Sequence, residues 1–237
     1  MEPLDTHISR QYNVDLENIR TLVLQMGGLV EQQIEHAITA LVQGNVTLAD
    51  AVIVTDYKVN SLEVTIDEDC NQIIARRQPA AGDLRLVLMV IKTITDLERI
   101  GDEAEKIARM AVQLANEERP KNNYMEIQTL GTHVRHMVHN ALDAYARMDT
   151  IAAVRVAGDD RQIDKEYEGV MRQMITFMME DPRTITRALH VMWAARALER
   201  IGDHARNICE YVIYQVKGKD VRHISLEQMK KEVGEGS

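Results

Sequence analysis

Apolar residues recur along this chain at intervals of three and four, and the recurrence breaks at only a few places. Leu84, Val87, Ile91 and Ile94 step in this way, and Ile185, Leu189 and Met192 do the same in the second half. The helical period of 3.6 residues gathers such positions on one face, so each run predicts an amphipathic helix. Turn signals lie between the runs. Gly44-Asn45 ends the first, as a left-handed cap residue commonly does. Gln78-Pro79 divides the second from the third, and the polar stretch Asn116–Asn123, with Pro120, divides the two halves. The predicted helices are Thr6–Gln43, Leu48–Arg77, Asp83–Ala115, Met125–Arg147, Ile151–Met179 and Thr184–Lys217. Thr47 is expected to cap the second helix, and Asp83 or Thr184 the third helix of its half. No segment has the two-residue period of a strand, so the fold class is all-α.

The chain also repeats itself. Residues 96–108 read DLERIGDEAEKIA and residues 197–209 read ALERIGDHARNIC, so Glu98 maps onto Glu199 with an offset of 101. Upstream the offset is 104, pairing Asp56, Val59 and Asn60 with Asp160, Ile163 and Asp164. The change in offset falls between Arg77–Asp83 and Glu180–Thr184, turns containing Pro79 and Pro182, where a change of length costs least. The organisation expected is two tandem pseudo-symmetric three-helix bundles of six long helices, residues 1–118 and 119–220. A polar tail, 221–237, follows, its Gly-Glu-Gly-Ser end disordered. A helix of about 30 residues is about 45 Å long, so an elongated rod is expected rather than a globule.

Composition narrows the function classes. Aromatics are 4 % against 45 % apolar residues, so aliphatic side chains and methionine must fill the core. Twenty-eight basic against 37 acidic residues give a net charge of −9. That excludes the broad positive field of a nucleic-acid binder, and no direct nucleic-acid contact is expected. Cys70 and Cys209 form no Cys-x-x-Cys pair and are expected as buried free thiols in a reducing cytosol. Met1–Arg10 is too polar for a signal segment. Leu84–Ile94, interrupted by Arg85 and Lys92, is too short to span a bilayer.

The candidate chemistry is carboxylate. Glu98 and Asp102, and again Glu199 and Asp203, are four residues apart on one helix face and extend or border the apolar stripe. Such pairs repel by roughly 0.2–0.5 kcal/mol on an exposed helix, and more when partly desolvated. A divalent or trivalent cation would compensate them, because hard ions take oxygen ligands from packed helices. Asp56/Asn60 and Asp160/Asp164 repeat the spacing on the neighbouring helices. Local readings stand beside this one. Arg99 and Arg200 could pair with Asp102 and Asp203, three residues on, and Asp56 and Asp160 could be first-turn acids favoured by the helix dipole. Gly101 and Gly202, each costing roughly 1 kcal/mol relative to Ala in mid-helix, are expected to admit a neighbouring helix. Met171, Met174, Met178, Met179 and Met192 read as core filler, although methionine also suits adaptable interfaces. His133, His136 and His139 drift around their helix and read as a stripe facing solvent or a partner rather than ligands. No histidine has Glu three residues before it, which disfavours an enzyme of the ferritin-like carboxylate type. A metal-free helical scaffold stays open as an alternative.

Arg77-Gln78-Pro79, Asp83-Leu84-Arg85, the doubled Leu-Glu-Arg-Ile-Gly-Asp and Met179-Glu180-Asp181 together resemble the PhoU family over roughly residues 6–220. The resemblance implies two similar three-helix bundles bearing acidic x-x-x-Asp motifs that hold metal ions, iron, zinc or magnesium among them. By match these are Glu98/Asp102, Glu199/Asp203 and Asp160/Asp164. Asp56/Asn60 departs from the pattern by one charge, since Asn offers only a neutral oxygen. It further implies a non-catalytic negative regulator of the phosphate-starvation (Pho) regulon. Such a protein connects the ATPase subunit of the phosphate ABC transporter (PstB-like) to the sensor histidine kinase (PhoR-like). It is expected to be a cytoplasmic homodimer drawn to the inner membrane by its partners, with Arg85, Arg99 and Arg200 as candidate partner contacts.

Overall fold

The computed structural model describes residues 4–117 and 124–234, with side chains from Tyr12 onward. Among them the chain is helical throughout, with no strand. In chain order the helices are α1 (Leu4–Gln43), α2 (Val46–Thr55), α3 (Tyr57–Arg77), α4 (Ala81–Ala115), α5 (Met125–Arg147), α6 (Thr150–Glu180), α7 (Ile185–Lys217) and α8 (Leu226–Val233). A 3-10 turn, Pro182–Thr184, leads into α7. No helix among the described residues is long and apolar enough to cross a membrane.

Four local expectations are corrected. The predicted second helix is broken at Asp56 into α2 and α3. Asp56 keeps helical dihedrals, but the Thr55 hydroxyl donates to the Ala51 carbonyl at 2.7 Å and the Asp56 carbonyl accepts from Val59 N–H at 2.9 Å. This side-chain back-bonding tightens a single turn. Asn45, not Thr47, caps α2, its side chain accepting from Leu48 N–H. Neither Asp83 nor Thr184 caps a helix with its side chain: α4 starts earlier, after Ala80, and Thr184 Oγ1 donates to the Phe177 and Asp181 carbonyls instead. The polar tail contains α8, which a Ser225/Gln228 capping box opens and which buries Met229 and Val233 against α6 and α7. The expected disorder of the last residues falls on 235–237, and most of the inter-half linker on 118–123, outside the described residues.

The two halves lie side by side rather than forming an end-to-end rod. The antiparallel pair of α4 and α7 is the most extensive helix contact, and α1 packs antiparallel on α5. Along the first seam Lys92 Nζ lies over Tyr211 and Tyr214, Asp96 meets His204, and Glu103 meets Arg200. Along the second, Arg20 reaches the Ala146 carbonyl, Glu31 meets His139 and Glu35 meets Arg135. One core of aliphatic residues therefore runs through both halves. Cys70 and Cys209 are free and buried in it, and burial pushes the Cys70 thiol up to about 12. His133 and His139 bond Glu166 and Glu31, so the histidine stripe is tied to carboxylates on neighbouring helices.

Candidate carboxylate clusters and family

The break at Asp56 puts this carboxylate between α3 and α4, where it is 6 % exposed. Gln33 Nε2 donates to its Oδ1 at 3.0 Å, and Asn60 Nδ2 to its Oδ2 at 3.2 Å. Gly101 on α4 makes the approach possible. A Cβ there would lie 3.1 Å from Gln33 Oε1 and 3.2 Å from Asp56 Oδ1, so the expectation of close helix approach is met at this glycine. Gly202 is its counterpart under Ile163, with a Cβ distance of 3.3 Å.

Asp56, Asp102 and Glu105 bring one carboxylate oxygen each within 4.8 Å of the others. Glu98 and Glu63 border them. Desolvation and then Asp102 push the Glu98 carboxyl above its ordinary value, and desolvation and then Asp56 do the same to Asp102. Gln33 Oε1 and Asn60 Oδ1 are buried acceptors with no donor. Three converging carboxylate oxygens form a donor set suited to a hard cation. Glu105 is the residue that sequence reasoning missed. It lies one turn beyond Asp102, and its only distinguishing mark is that its counterpart in the repeat, Arg206, has the opposite charge.

That reversal decides the second cluster. Asp160, Asp164, Glu199 and Asp203 again face one another across two helices. Desolvation and then Asp160 raise Asp203, and desolvation and then Asp203 raise Glu199. Here Arg206 Nη1 donates to Asp160 Oδ2 at 2.9 Å while its Nε donates to Glu210 at 3.2 Å. Arg196 covers Glu199 at 2.6 Å. Where the first copy has Glu105 and Arg109, bonded at 2.5 Å, the second has Arg206 and Glu210. A guanidinium thus stands beside Asp160, where the first copy presents a third carboxylate to Asp56. Asp160 lies deep in α6, so the first-turn reading fails there, whereas Asp56 does stand at the N-cap position of α3, without a side-chain cap bond.

The three arginines singled out do not form one surface. Arg200 Nε bonds Glu103 across the α4–α7 seam at 3.2 Å, rather than pairing locally with Asp203. Arg99 is exposed beside Glu98 and Glu63, holding both carboxyls down against the other effects. Arg85 is half-buried, its Nε without a hydrogen-bond partner, about 21 Å along α4 from Arg99 by helical rise.

A profile of the PhoU domain matches residues 23–111 and 127–212, one match to each half. The chain belongs to the PhoU family. It is 53 % identical to a phosphate-specific transport system accessory protein PhoU homolog of Pseudomonas putida over 232 residues, 98 % of this chain and 91 % of the relative. The crystal structure of PhoU from Pseudomonas aeruginosa superposes with a TM-score of 0.85 at 50 % identity, covering 88 % of this chain and all of that one. The phosphate transport system regulatory protein PhoU from Streptococcus pneumoniae superposes at 0.82 with 27 % identity, over 89 % of this chain and 99 % of that one. The all-α PhoU fold expected from the doubled motif is thereby established.

Proposed function

We propose that this PhoU-family protein is a non-catalytic accessory of phosphate-specific transport that represses the phosphate-starvation response when phosphate is plentiful. The observation that carries this reading is that both halves match a family whose similar members are named for that transport system. In the finer reading it acts as a homodimer on the cytoplasmic side of the inner membrane. There it joins the ATPase subunit of the phosphate ABC transporter to the sensor histidine kinase. It needs no catalysis for this. By binding one state of the kinase more tightly than the other, it shifts that equilibrium by its differential affinity.

Ions belong to the same reading. Asp56, Asp102 and Glu105, with Glu98 at the border, would hold one divalent or trivalent cation in the first copy. The ion would supply charge neutralisation and cross-link α3 to α4. In the second copy Arg206 neutralises Asp160 in place of an ion, so Asp160, Asp164, Glu199 and Asp203 hold a cation less well.

Deletion of the gene, with an alkaline-phosphatase reporter read in high phosphate, tests the regulatory role. Reporter activity is expected to rise on deletion and to fall again when the intact chain is restored; activity that stays repressed in the deletion strain refutes the role. Metal analysis of untagged protein, with and without Glu98→Gln plus Asp102→Asn, tests the ion.

A further inference from the structure

Exposed apolar side chains gather in two places. At the ends of α6 and α7 stand Ile175, Met179, Ile185 and Trp193, the last matching Lys92 of the first copy, so of the methionines read as core filler only Met174 is buried. The second place is on α2 and the start of α3, where Val46, Val54 and Tyr57 are 39, 69 and 63 % exposed. For this second face the internal repeat shows what the fold sets upon it.

In the second copy α8 lies on the matching face. Its first turn sits at Gly158 and Arg161 of α6: a Cβ at Gly158 would lie 3.3 Å from Leu226 Cδ2, and Glu227 pairs with Arg161 at 3.5 Å. Its last turn reaches α7, where Lys217 Nζ donates to the Val233 carbonyl. Met229 and Val233 are its buried anchors. At the offset of 104, Gly158 and Arg161 match Val54 and Tyr57, while Val154 and Ala157 match Asp50 and Ile53. At the offset of 101, Glu210 and Ile213 of α7 match Arg109 and Val112 of α4. Val154, Ala157, Glu210 and Ile213 are all buried; Asp50 and Arg109 are exposed, and Ile53 and Val112 half-buried. Among the described residues α2 packs only on α1, α3 and α4. The difference in exposure therefore marks the place of a helix that the second copy has and the first lacks.

The side chains of the first copy specify its occupant. At Val54 a side chain takes the space that Gly158 leaves to Leu226, so the occupant needs a small residue there. Tyr57 replaces the cation that meets Glu227, so no acid is called for beside it. Ile53 and Val112 offer half-buried apolar surface to two larger anchors set four residues apart, as Met229 and Val233 are. An α8 lent by a second copy would bare as much of α6 as it covered of α2, with no net burial to drive the exchange. We propose that the face from Val46 to Tyr57, with Val112 beside it, docks a short amphipathic helix of a protein partner, seated as α8 is on the second copy. A small residue of that helix lies over Val54, and its two anchors follow one turn apart. This deepens the adaptor reading and rests on it.

The probe is the chain's own helix. A fluorescein-labelled peptide of residues 221–234, and the same peptide with Leu226→Ala, are titrated with the full chain and read by anisotropy. The variant Val54→Gly plus Tyr57→Arg carries the second copy's residues at both exposed positions, and a thermal melt checks that it folds; Val54→Ala with Tyr57→Arg takes its place if the glycine unfolds it. The parent should bind the alanine peptide at least roughly fivefold more tightly than the leucine peptide, and the variant should reverse that preference. The reversal supports the proposal. Absence of binding to the parent overturns it, as does one preference shared by parent and variant, which assigns the peptide to α6 in exchange for the resident α8. A parent dimer that the variant loses also overturns it and assigns the face to self-association. If deletion of the gene leaves the reporter repressed, the adaptor reading fails, while the peptides still decide whether this face takes a helix.

Discussion

Arg206→Met separates a structural arginine from one that stands in for an ion. The substitution keeps an unbranched, helix-compatible side chain and removes the charge 2.9 Å from Asp160 Oδ2. Removing one partner of a buried ion pair costs about 3–5 kcal/mol. The Arg206 side chain is 36 % exposed and Asp160 only 7 %, so solvent screens part of this and about 2 kcal/mol is expected. At roughly 2–4 °C per kcal/mol for a chain of this size, the melting midpoint in chelator should fall by about 4–8 °C. Asp160, Asp164 and Asp203 then face one another without Arg206, while Arg196 still covers Glu199. A divalent cation at 100 times its dissociation constant would return about 2.7 kcal/mol. Far-UV circular dichroism melts of parent and variant, each in chelator and in millimolar magnesium or manganese, read both effects. The variant should lose stability in chelator and gain more from the cation than the parent does. A midpoint in chelator within about 1 °C of the parent, or an equal cation response, refutes the reasoning.

The opposite outcome is expected in the first copy. Glu98→Gln with Asp102→Asn should raise the ion-free midpoint by about 2–4 °C, for about 1 kcal/mol of relieved repulsion, and abolish the cation response. The gain depends on pH with a definite sign. Folding raises both carboxyls, so the folded state binds more protons than the unfolded, and parent stability declines as pH climbs from the ordinary carboxylate range through the raised values. The advantage of the variant should therefore vanish in acid; an advantage that persists there contradicts the cause. Gly101→Ala should destabilise by about 1–2 kcal/mol, because its Cβ meets Gln33 and Asp56 near 3.1 Å and a shift of either disturbs the buried hydrogen bond between them. Gly169→Ala, mid-helix with nothing within 4 Å, should stabilise by about 0.5–1 kcal/mol; chemical denaturation distinguishes them. His204→Ala leaves Asp96, 2 % exposed, with Asn207 and Tyr211 as its donors and without the 2.6 Å contact across the α4–α7 seam. A loss of about 2 kcal/mol is expected for one hydrogen bond to a buried carboxylate, and hydrogen exchange should show the seam loosening first.

The repeat, the helical period and the turns were legible along the chain because they depend on local spacing. Pro79 and Pro182 cannot continue a helix, glycine or asparagine closes one, and a face that must be buried shows its period wherever it occurs. Asp102 and Glu98 were found for the same reason, since a four-residue step fixes a shared face. The break at Asp56 escaped because Thr55 and Asp56 keep helical dihedrals and only a hydroxyl back-bond distinguishes that turn. The helix α8 escaped because its polar composition hides two buried anchors that only a neighbouring helix can use.

By itself, then, the order of residues determined the helices, their duplication and which carboxylates share a helix face, all consequences of a backbone that repeats every 3.6 residues. Tertiary structure decided which acids meet across helices. Asp56 joins Asp102 and Glu105 because Gly101 lets α3 and α4 approach, and Asp160 is met instead by Arg206. It also decided that two bundles share one core along α4 and α7, and that Trp193 points outward where Lys92 crosses to its neighbour. Interactions between distant segments depend on the angle and register at which helices pack, and those are settled by side-chain fit across the interface, which no spacing along one helix encodes.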